Sequence, residues 1–225
     1  MNVRLVSVTS CNIDGIKTGD DLIAYCARVS SPQNQHKTET APRLIRYLID
    51  HKHWSPFEMA SMCVEITTSR AIAQQILRHR SFSFQEFSQR YATATEFEPI
   101  EIRKQGATNR QGGEEVFDPG IIDPGGTDCF ASNAIDRHLA ASRCLYDNLI
   151  EAGVAKECAR FILPLCTQTR LYMHGTVRSW IHYLEQRLDS HAQKEHRLEA
   201  KEIKKIFVEQ FPQTAAALEL VIDES

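Results

Sequence analysis

Between residues 60 and 77 the hydrophobic period of the chain changes without a break. From Ala60 to Thr68 apolar side chains alternate as Met62, Val64 and Ile66, the period of two that a half-buried strand requires. From Ser69 the period becomes helical. With Ile72 at zero, Ile76, Ala73 and Leu77 fall within about 140° of one another, whereas Gln74, Gln75 and Arg78 fall between about 200° and 300°. A strand that runs straight into a helix points to a mixed fold, with Gln75 and Arg78 on the helix face turned from the apolar stripe.

The remaining elements fit that reading. Val3 to Val8 reads as a first strand. Asp20 to Arg28 reads as a helix, with Asp20 or Asp21 as N-cap and Leu22, Ile23, Cys26 and Val29 inward. Thr40 and Pro42 open a second helix whose apolar stripe is Leu44, Ile45, Leu48 and Ile49, ending near His51. Residues Ala131 to Ala152 and Lys156 to Cys166 look helical, Gln168 to His174 reads as a strand, and helices follow over Thr176–Gln186 and His191–Gln210. Strands separated by helices, without a regular βαβ rhythm or G-x-G-x-x-G, predict an α+β single domain over residues 1–225. Its sheet is expected to be mainly antiparallel and packed by helices, not a Rossmann fold. Six of the ten glycines lie between Gly106 and Gly126, with Pro119 and Pro124, so about 104–126 is expected to be a Gly-rich loop, either a flap or a tolerated insertion.

Charge and cysteine usage narrow the function classes. Lys plus Arg is 26 against 29 Asp plus Glu, a net −3, which argues against bulk nucleic-acid binding and makes any anion site local. No apolar run approaches the roughly 20 residues of a membrane span, and residues 1–10 lack the apolar stretch and cleavage site of a secretory signal, so export is not expected. The seven cysteines are scattered and include no C-x-x-C, which predicts reduced thiols and a cytoplasmic setting.

The densest chemistry lies in Arg78-His79-Arg80-Ser81-Phe82-Ser83-Phe84-Gln85-Glu86-Phe87-Ser88-Gln89-Arg90-Tyr91. Arginine offers a planar, bidentate fork to phosphate and serine adds shorter hydrogen bonds, so the run suits a phosphorylated aromatic ligand. A helix C-terminus decorated with cations to suit its dipole accounts for part of the same composition. Further on, helical angles set Arg178 and His182 on one face and Val177, Trp180, Ile181 and Leu184 on the other, which suits either a ligand or a solvated face.

An RHR triplet, seven residues and then Ser88 resembles the RHR-x7-S signature of the flavin-dependent thymidylate synthases. The likeness extends, in the family's order, through Ala27-Arg28-Val29-Ser30, His53-Trp54-Ser55-Pro56-Phe57-Glu58, Ala159-Arg160-Phe161-Ile162-Leu163-Pro164 and Arg187-Leu188-Asp189-Ser190-His191-Ala192-Gln193. The resemblance implies a methyltransferase that makes dTMP from dUMP, with methylenetetrahydrofolate as one-carbon donor and FAD, reduced by NADPH, as hydride carrier. It assigns dUMP to Gln75, Ile76, Leu77 and Arg78, to Glu86, Phe87, Ser88, Gln89 and Arg90, and to Arg160 and Arg187. It assigns FAD to Ser55, Arg78, His79, Arg80, Glu86, Thr176, Val177, Arg178 and His182, and places His53 in the folate and flavin region. It also implies a homotetramer whose active sites are shared between subunits. The chain departs from the pattern at Thr176 and His182, where many members carry asparagine.

Among these residues Arg187 receives the catalytic role by resemblance: a fixed cation near N3 and O2 of the pyrimidine favours electron density at C5. A dipole partner at a helix end, with Asp189 or Ser190 capping the next helix and Gln193 completing a capping box, fits the same stretch. No cysteine lies in the Arg78–Tyr91 run and no base is evident beside Ser88, so Ser88 is expected to position ligand. His51 and His53 lack companion ligands at a recognised spacing, and no metal is expected. The reading from a different class is a non-catalytic binder of nucleotides or single-stranded RNA, with Arg78, Arg80 and Arg90 on phosphates and Phe82, Phe84 or Phe87 stacking bases.

Overall fold

The computed structural model describes residues 2–93, 96–107 and 112–221. After β1 (Asn2–Val8), Thr18 caps α1 (Gly19–Ala27). The Thr18 hydroxyl accepts from the Asp21 N–H at 3.1 Å and Asp21 Oδ2 accepts from the Thr18 N–H at 3.2 Å, a reciprocal capping box. The cap is therefore Thr18, not Asp20 or Asp21. Asp20 faces inward and is buried, while Val29, expected inside, is 70% exposed beyond the helix end. In α2 (Ala41–Asp50) Pro42 sits in the first turn and Ala41, Ile45 and Leu48 are buried.

β2 (Ser61–Ser69) leads directly into α3 (Arg70–Ile76), with Met62, Val64, Ile66, Ile72 and Ile76 inside. The helix stops before Leu77, where the His79 N–H closes a tighter turn on the Ile76 carbonyl at 3.0 Å. Leu77 and Arg78 thus lie outside the helix, and Leu77 is 36% exposed instead of joining the stripe. β3 (Ser83–Glu86) follows.

The stretch expected to be a loop contains two hairpins. β4 (Arg103–Gln105) pairs antiparallel with β5 (Gly113–Val116), and β6 (Gly120–Ile122) pairs with β7 (Asp128–Phe130) in the register Gly120↔Phe130 and Ile122↔Asp128. Strands of three or four residues are too short for alternation to be read. Residues 108–111 of that stretch lie outside the described residues; between β6 and β7 Gly126 has φ +80°, and Asp123 Oδ1 accepts from the Gly125 and Thr127 N–H groups at 2.9 Å each.

α4 (Ala131–Glu151) matches its expected span, but α5 (Lys156–Ala159) is short and passes into a 3₁₀ turn over Arg160–Ile162. Leu163 is extended, with ψ 133°, because Pro164 disfavours a helical residue before it. β8 (Gln168–Thr176) then feeds α6 (Val177–Arg187). α7 (Lys194–Gln210) begins later than expected because Asp189 Oδ1 takes the His191 N–H at 2.8 Å, and Gln193 makes no capping bond. The C-terminal α8 (Pro212–Ala217) is additional to the expected elements, and explains Asp20, whose carboxylate accepts from the Gln213 N–H at 2.7 Å and the Thr214 N–H at 3.2 Å.

The main sheet has the order β1-β2-β8-β3. The Thr9 N–H meets the Ser61 carbonyl, Arg70 meets Thr167, Val177 meets Ala60 and Phe87 meets Arg170, so each neighbour runs antiparallel to the next. The architecture is α+β, as expected, and no doubly wound sheet is present among the described residues. Two compact units alternate along the chain: a hairpin unit of Thr67–Gln75 and Glu86–Arg170, and a sheet unit of Asn2–Ile66, Ile76–Gln85 and the chain from Leu171 onward. The sheet unit buries Trp180, Tyr183, Phe57, Phe207, Phe211 and Ile23 to under 2% exposure, each contributing about 1.5–3 kcal/mol of apolar transfer for the side chains of that size. No helix among the described residues is long and apolar enough to cross a membrane.

Candidate functional site

In the sheet unit the RHR triplet forms a turn that sends its side chains alternately out and in. Arg78 and Arg80 are exposed and His79 is buried. The His79 ring meets Tyr183 edge-on at 4.9 Å between centroids, with Phe82 and His196 each at 6.3 Å and near 90°. Arg187, in the last turn of α6, donates from Nε to His79 Nε2 at 2.9 Å. A guanidinium only donates, so Nε2 accepts and His79 is a neutral imidazole with its proton on Nδ1. Burial, with Arg187 and His182 nearby, lowers its pKa to about 4.

Behind it lies a second buried imidazole. His196 of α7 has no exposed surface and shares a 3.1 Å hydrogen bond with the Tyr183 hydroxyl. Burial first, then Arg187 and His79, lower His196 to about 3. Burial and the neighbouring Glu199 hold the Tyr183 phenol protonated well above its usual range. Neither His196 nor Tyr183 was singled out from the sequence. Both read there as ordinary helix positions, since a partner's burial leaves no periodic trace.

The sheet unit also holds a cavity of about 440 Å³ lined by Trp54, Glu58, Ser81, Arg178, Ser179, Ile181, His182 and Glu185. The expected face of α6 is present: Arg178 and His182 are exposed while Val177, Trp180, Ile181 and Leu184 are buried. Arg178 Nη1 is paired with Glu58 Oε1 at 2.6 Å, and His182 Nε2 with Gln186 at 3.0 Å. Thr176 caps α6, its hydroxyl accepting from the Ser179 N–H at 3.3 Å. Val177 is wholly buried and its N–H is bonded to the Ala60 carbonyl. Ser55 opens a 3₁₀ turn, Ser55–Glu58, with its side chain exposed, and exposed His53 lies edge-on to Tyr47 at 6.1 Å. Ile76 is buried and Leu77 exposed at the end of α3.

In the hairpin unit Arg70 organises the residues around Ser88. It opens α3 and reaches Gln89 Oε1 at 3.2 Å and Glu86 Oε1 at 3.9 Å, while Thr169 Oγ1 donates to the same Glu86 oxygen at 2.8 Å. Gln89 is 2% exposed, and its Nε2 has no hydrogen-bond partner among the described residues. Phe87 continues the ladder through its N–H to Arg170, and Gln75 is half-buried on α3. Ser88 Oγ accepts from the Arg90 N–H at 3.4 Å, and no base is hydrogen-bonded to it among the described residues. Arg90 lies over Tyr91 at 5.8 Å and Arg160 over Phe161 at 5.7 Å, with Arg160 Nε also bonded to the Glu157 carbonyl. Arg70 had a readable signal that went unused: a cation at a helix N-terminus opposes the dipole and calls for a carboxylate partner.

Charge pairing separates the arginines. Arg4, Arg46, Arg70 and Arg178 are ion-paired, whereas Arg78, Arg80, Arg90, Arg160 and Arg187 form no ion pair with a described carboxylate. Cations without a counter-charge among the described residues are available to an anionic or electron-rich ligand. Such a set supports binding of a phosphate at Arg90 or Arg160 and polarisation of an aromatic carbonyl at Arg187.

A family model described as "Thymidylate synthase complementing protein" matches residues 12–213. A flavin-dependent thymidylate synthase of Synechocystis sp. is 51% identical over 222 residues, covering 97% of this chain and 100% of the relative. A probable flavin-dependent thymidylate synthase of Paramecium bursaria Chlorella virus 1 is 47% identical over 222 residues, covering 98% and 100%. Among solved structures, a UMP/dUMP methylase from Streptomyces cacaoi, bound with 5-Br dUMP, superposes with a TM-score of 0.76 at 24% identity, over 97% of this chain and 94% of that one. That likeness is one of fold.

Proposed function

This chain belongs to the flavin-dependent thymidylate synthase family, and from that membership we propose that it makes dTMP from dUMP in the cytoplasm, with methylenetetrahydrofolate as one-carbon donor, FAD as hydride carrier and NADPH as reductant. The observation that carries the reading is the 51% identity across the full length of a relative bearing that activity as its name. The seven free cysteines support a reducing compartment, and the family model's span supports treating residues 1–225 as one catalytic domain.

The chain's own groups divide the work. Arg90 and Arg160 take the phosphate of dUMP, and Glu86 to Gln89, braced by Arg70 and Thr169, shape the nucleotide's surroundings. Arg187 faces the pyrimidine, where its cation stabilises negative charge at N3 and O2 as C5 becomes nucleophilic. Ser88 orients the ligand and is not a nucleophile. The cavity beside α6 is the place for a flavin dinucleotide: Ser81 offers a hydroxyl and Trp54 an aromatic surface, while Arg178, paired with Glu58, and His182, bonded to Gln186, would turn their remaining donors or exchange these partners to meet anionic oxygens. A flavin held there supplies the hydride that completes the methyl group. With its backbone N–H and Nε2 engaged, His79 has Nδ1–H as its remaining donor to such a ligand.

The test begins with the absorption spectrum of the purified protein. Oxidised-flavin bands, release of FAD on denaturation, and conversion of dUMP to dTMP that requires both methylenetetrahydrofolate and NADPH are expected. A colourless protein that binds single-stranded RNA and no FAD would overturn the reading in favour of a nucleotide or RNA binder.

A further inference from the structure

We propose that the His79 imidazole is a positioning residue for Arg187, a buried neutral acceptor that fixes the guanidinium while leaving its charge and its terminal donors to the pyrimidine. The proposal rests on the placement of Arg187 against the pyrimidine. It assigns the side chain of His79 to the uracil chemistry, whereas family resemblance gives that residue to the flavin.

Three observations carry it. Arg187 is bound through Nε, at 2.9 Å, so the four N–H groups on its two terminal nitrogens stay available for two parallel bonds to a planar ligand. Its described partner is an imidazole, and no ion pair with a described carboxylate neutralises its positive charge. A carboxylate in the same place would hold the arginine equally well but would cancel the cation that the pyrimidine needs. Lastly, His79 is itself held on all sides: its N–H by the Ile76 carbonyl, its carbonyl by the Phe82 N–H, and its ring by Phe82, Tyr183 and His196. Tyr183 and His196 are in turn joined by their 3.1 Å hydrogen bond.

The groups facing His79 agree on its charge state. Arg187 and His182 from α6 disfavour a second cation, and His196 from α7 is itself kept neutral. Tyr183, from α6, is protonated, and the buried Glu199 of α7 acts on it electrostatically. His79 therefore remains an acceptor across the neutral range, and the hydrogen bond to Arg187 does not switch with pH there.

The experiment compares His79→Leu, which removes the acceptor at similar volume, with His79→Gln, which retains one, and with Arg187→Ala. Two readouts are taken: single-turnover conversion of dUMP with flavin reduced beforehand, and the ratio of affinities for 5-Br-dUMP and dUMP. Bromine withdraws electrons and acidifies N3–H, so a well-placed full cation favours the brominated ligand, a preference that loss of packing alone does not erase. His79→Leu is expected to slow conversion by about tenfold or more and to abolish the preference, with His79→Gln recovering much of both. Arg187→Ala with parental rate and preference would overturn the placement of Arg187. Loss in Arg187→Ala beside full retention in His79→Leu would overturn the proposal for His79 while sparing that placement. Should His79→Leu fail to fold, ring ¹⁵N shifts of His79 in the unaltered holoenzyme decide: unprotonated Nε2 and protonated Nδ1 are expected, and the opposite tautomer contradicts the proposal.

Discussion

Arg90 and Arg160 are matched in environment: each cation lies over an aromatic ring, at 5.8 Å and 5.7 Å, and neither has a described carboxylate partner. Replacing either with Ala removes charge-assisted hydrogen bonds to phosphate worth roughly 1.5–3 kcal/mol, or about 10- to 150-fold in dUMP affinity. Calorimetric titration should show that loss while FAD content changes little. Equal dUMP affinity in both variants and the parent would refute the phosphate assignment. Arg187→Lys is expected to behave differently, depressing single-turnover methylation beyond its effect on dUMP affinity, because a point-like ammonium cannot reproduce the fork. Ser88→Ala should leave measurable turnover, since the Ser88 hydroxyl accepts from a backbone N–H and has no described base beside it. Abolished turnover in Ser88→Ala with FAD and dUMP still bound would reverse that division of labour.

At the scale of elements, α6 and α7 meet through two imidazoles that the folded chain holds neutral. In the unfolded chain both protonate near 6.5, whereas in the folded chain His79 protonates near 4 and His196 near 3. Between these values the unfolded state binds more protons. The stability they contribute is therefore complete above pH 6.5 and is lost progressively as pH falls toward 3, by a few kcal/mol for each imidazole at about 1.4 kcal/mol per unit. Asp20, whose pKa burial raises, acts in the opposite direction over part of this range and offsets some of the loss. Urea unfolding should give a lower midpoint at pH 4.5 than at pH 7, and His196→Gln should flatten the difference. An unchanged midpoint in the parent would contradict the buried neutral pair. This interface was illegible in the sequence, although α6, α7 and the β2–α3 junction were read from their periods within a few residues. Periodicity reports which face of an element is apolar and says nothing of which polar residue on that face has found a partner. Asp20 is the same lesson at a helix start: it resembles an N-cap by type, yet Thr18 takes the cap and Asp20 turns inward to the first turn of α8. The Gly-rich stretch failed for another reason, since strands as short as β6 and β7 carry too few residues for alternation to emerge. In the candidate site, the exposed and engaged arginines could be listed from the RHR-x7-S run, whereas Arg70, Glu58 and Tyr183 required geometry.

For the whole molecule, the assigned residues fall in both units of the chain, with Arg90 and Arg160 in the hairpin unit and Arg187 in the sheet unit. Family resemblance draws these segments from different subunits of a homotetramer. The hairpin unit also exposes large apolar side chains, Phe161 at 81%, Ile122 at 71%, Phe130 at 59% and Leu165 at 57%, more than an isolated subunit gains from showing to water. Light scattering should accordingly give about four times the 25.6 kDa chain mass. A sharper test uses two impaired variants, Arg90→Ala and Arg187→Ala, dissociated and reassembled together and assayed at dUMP well below the parental Kd, where the affinity loss of Arg90→Ala is read as lost turnover. If one chain supplies Arg90 and another supplies Arg187 to the same site, random mixing of equal amounts restores both groups in about a quarter of the sites. Turnover in the mixture should then approach about a quarter of the parental value, while each variant reassembled alone stays about tenfold or more below the parent. Were both arginines contributed by one chain, every mixed site would lack one of them, and the mixture would be as impaired as its parts.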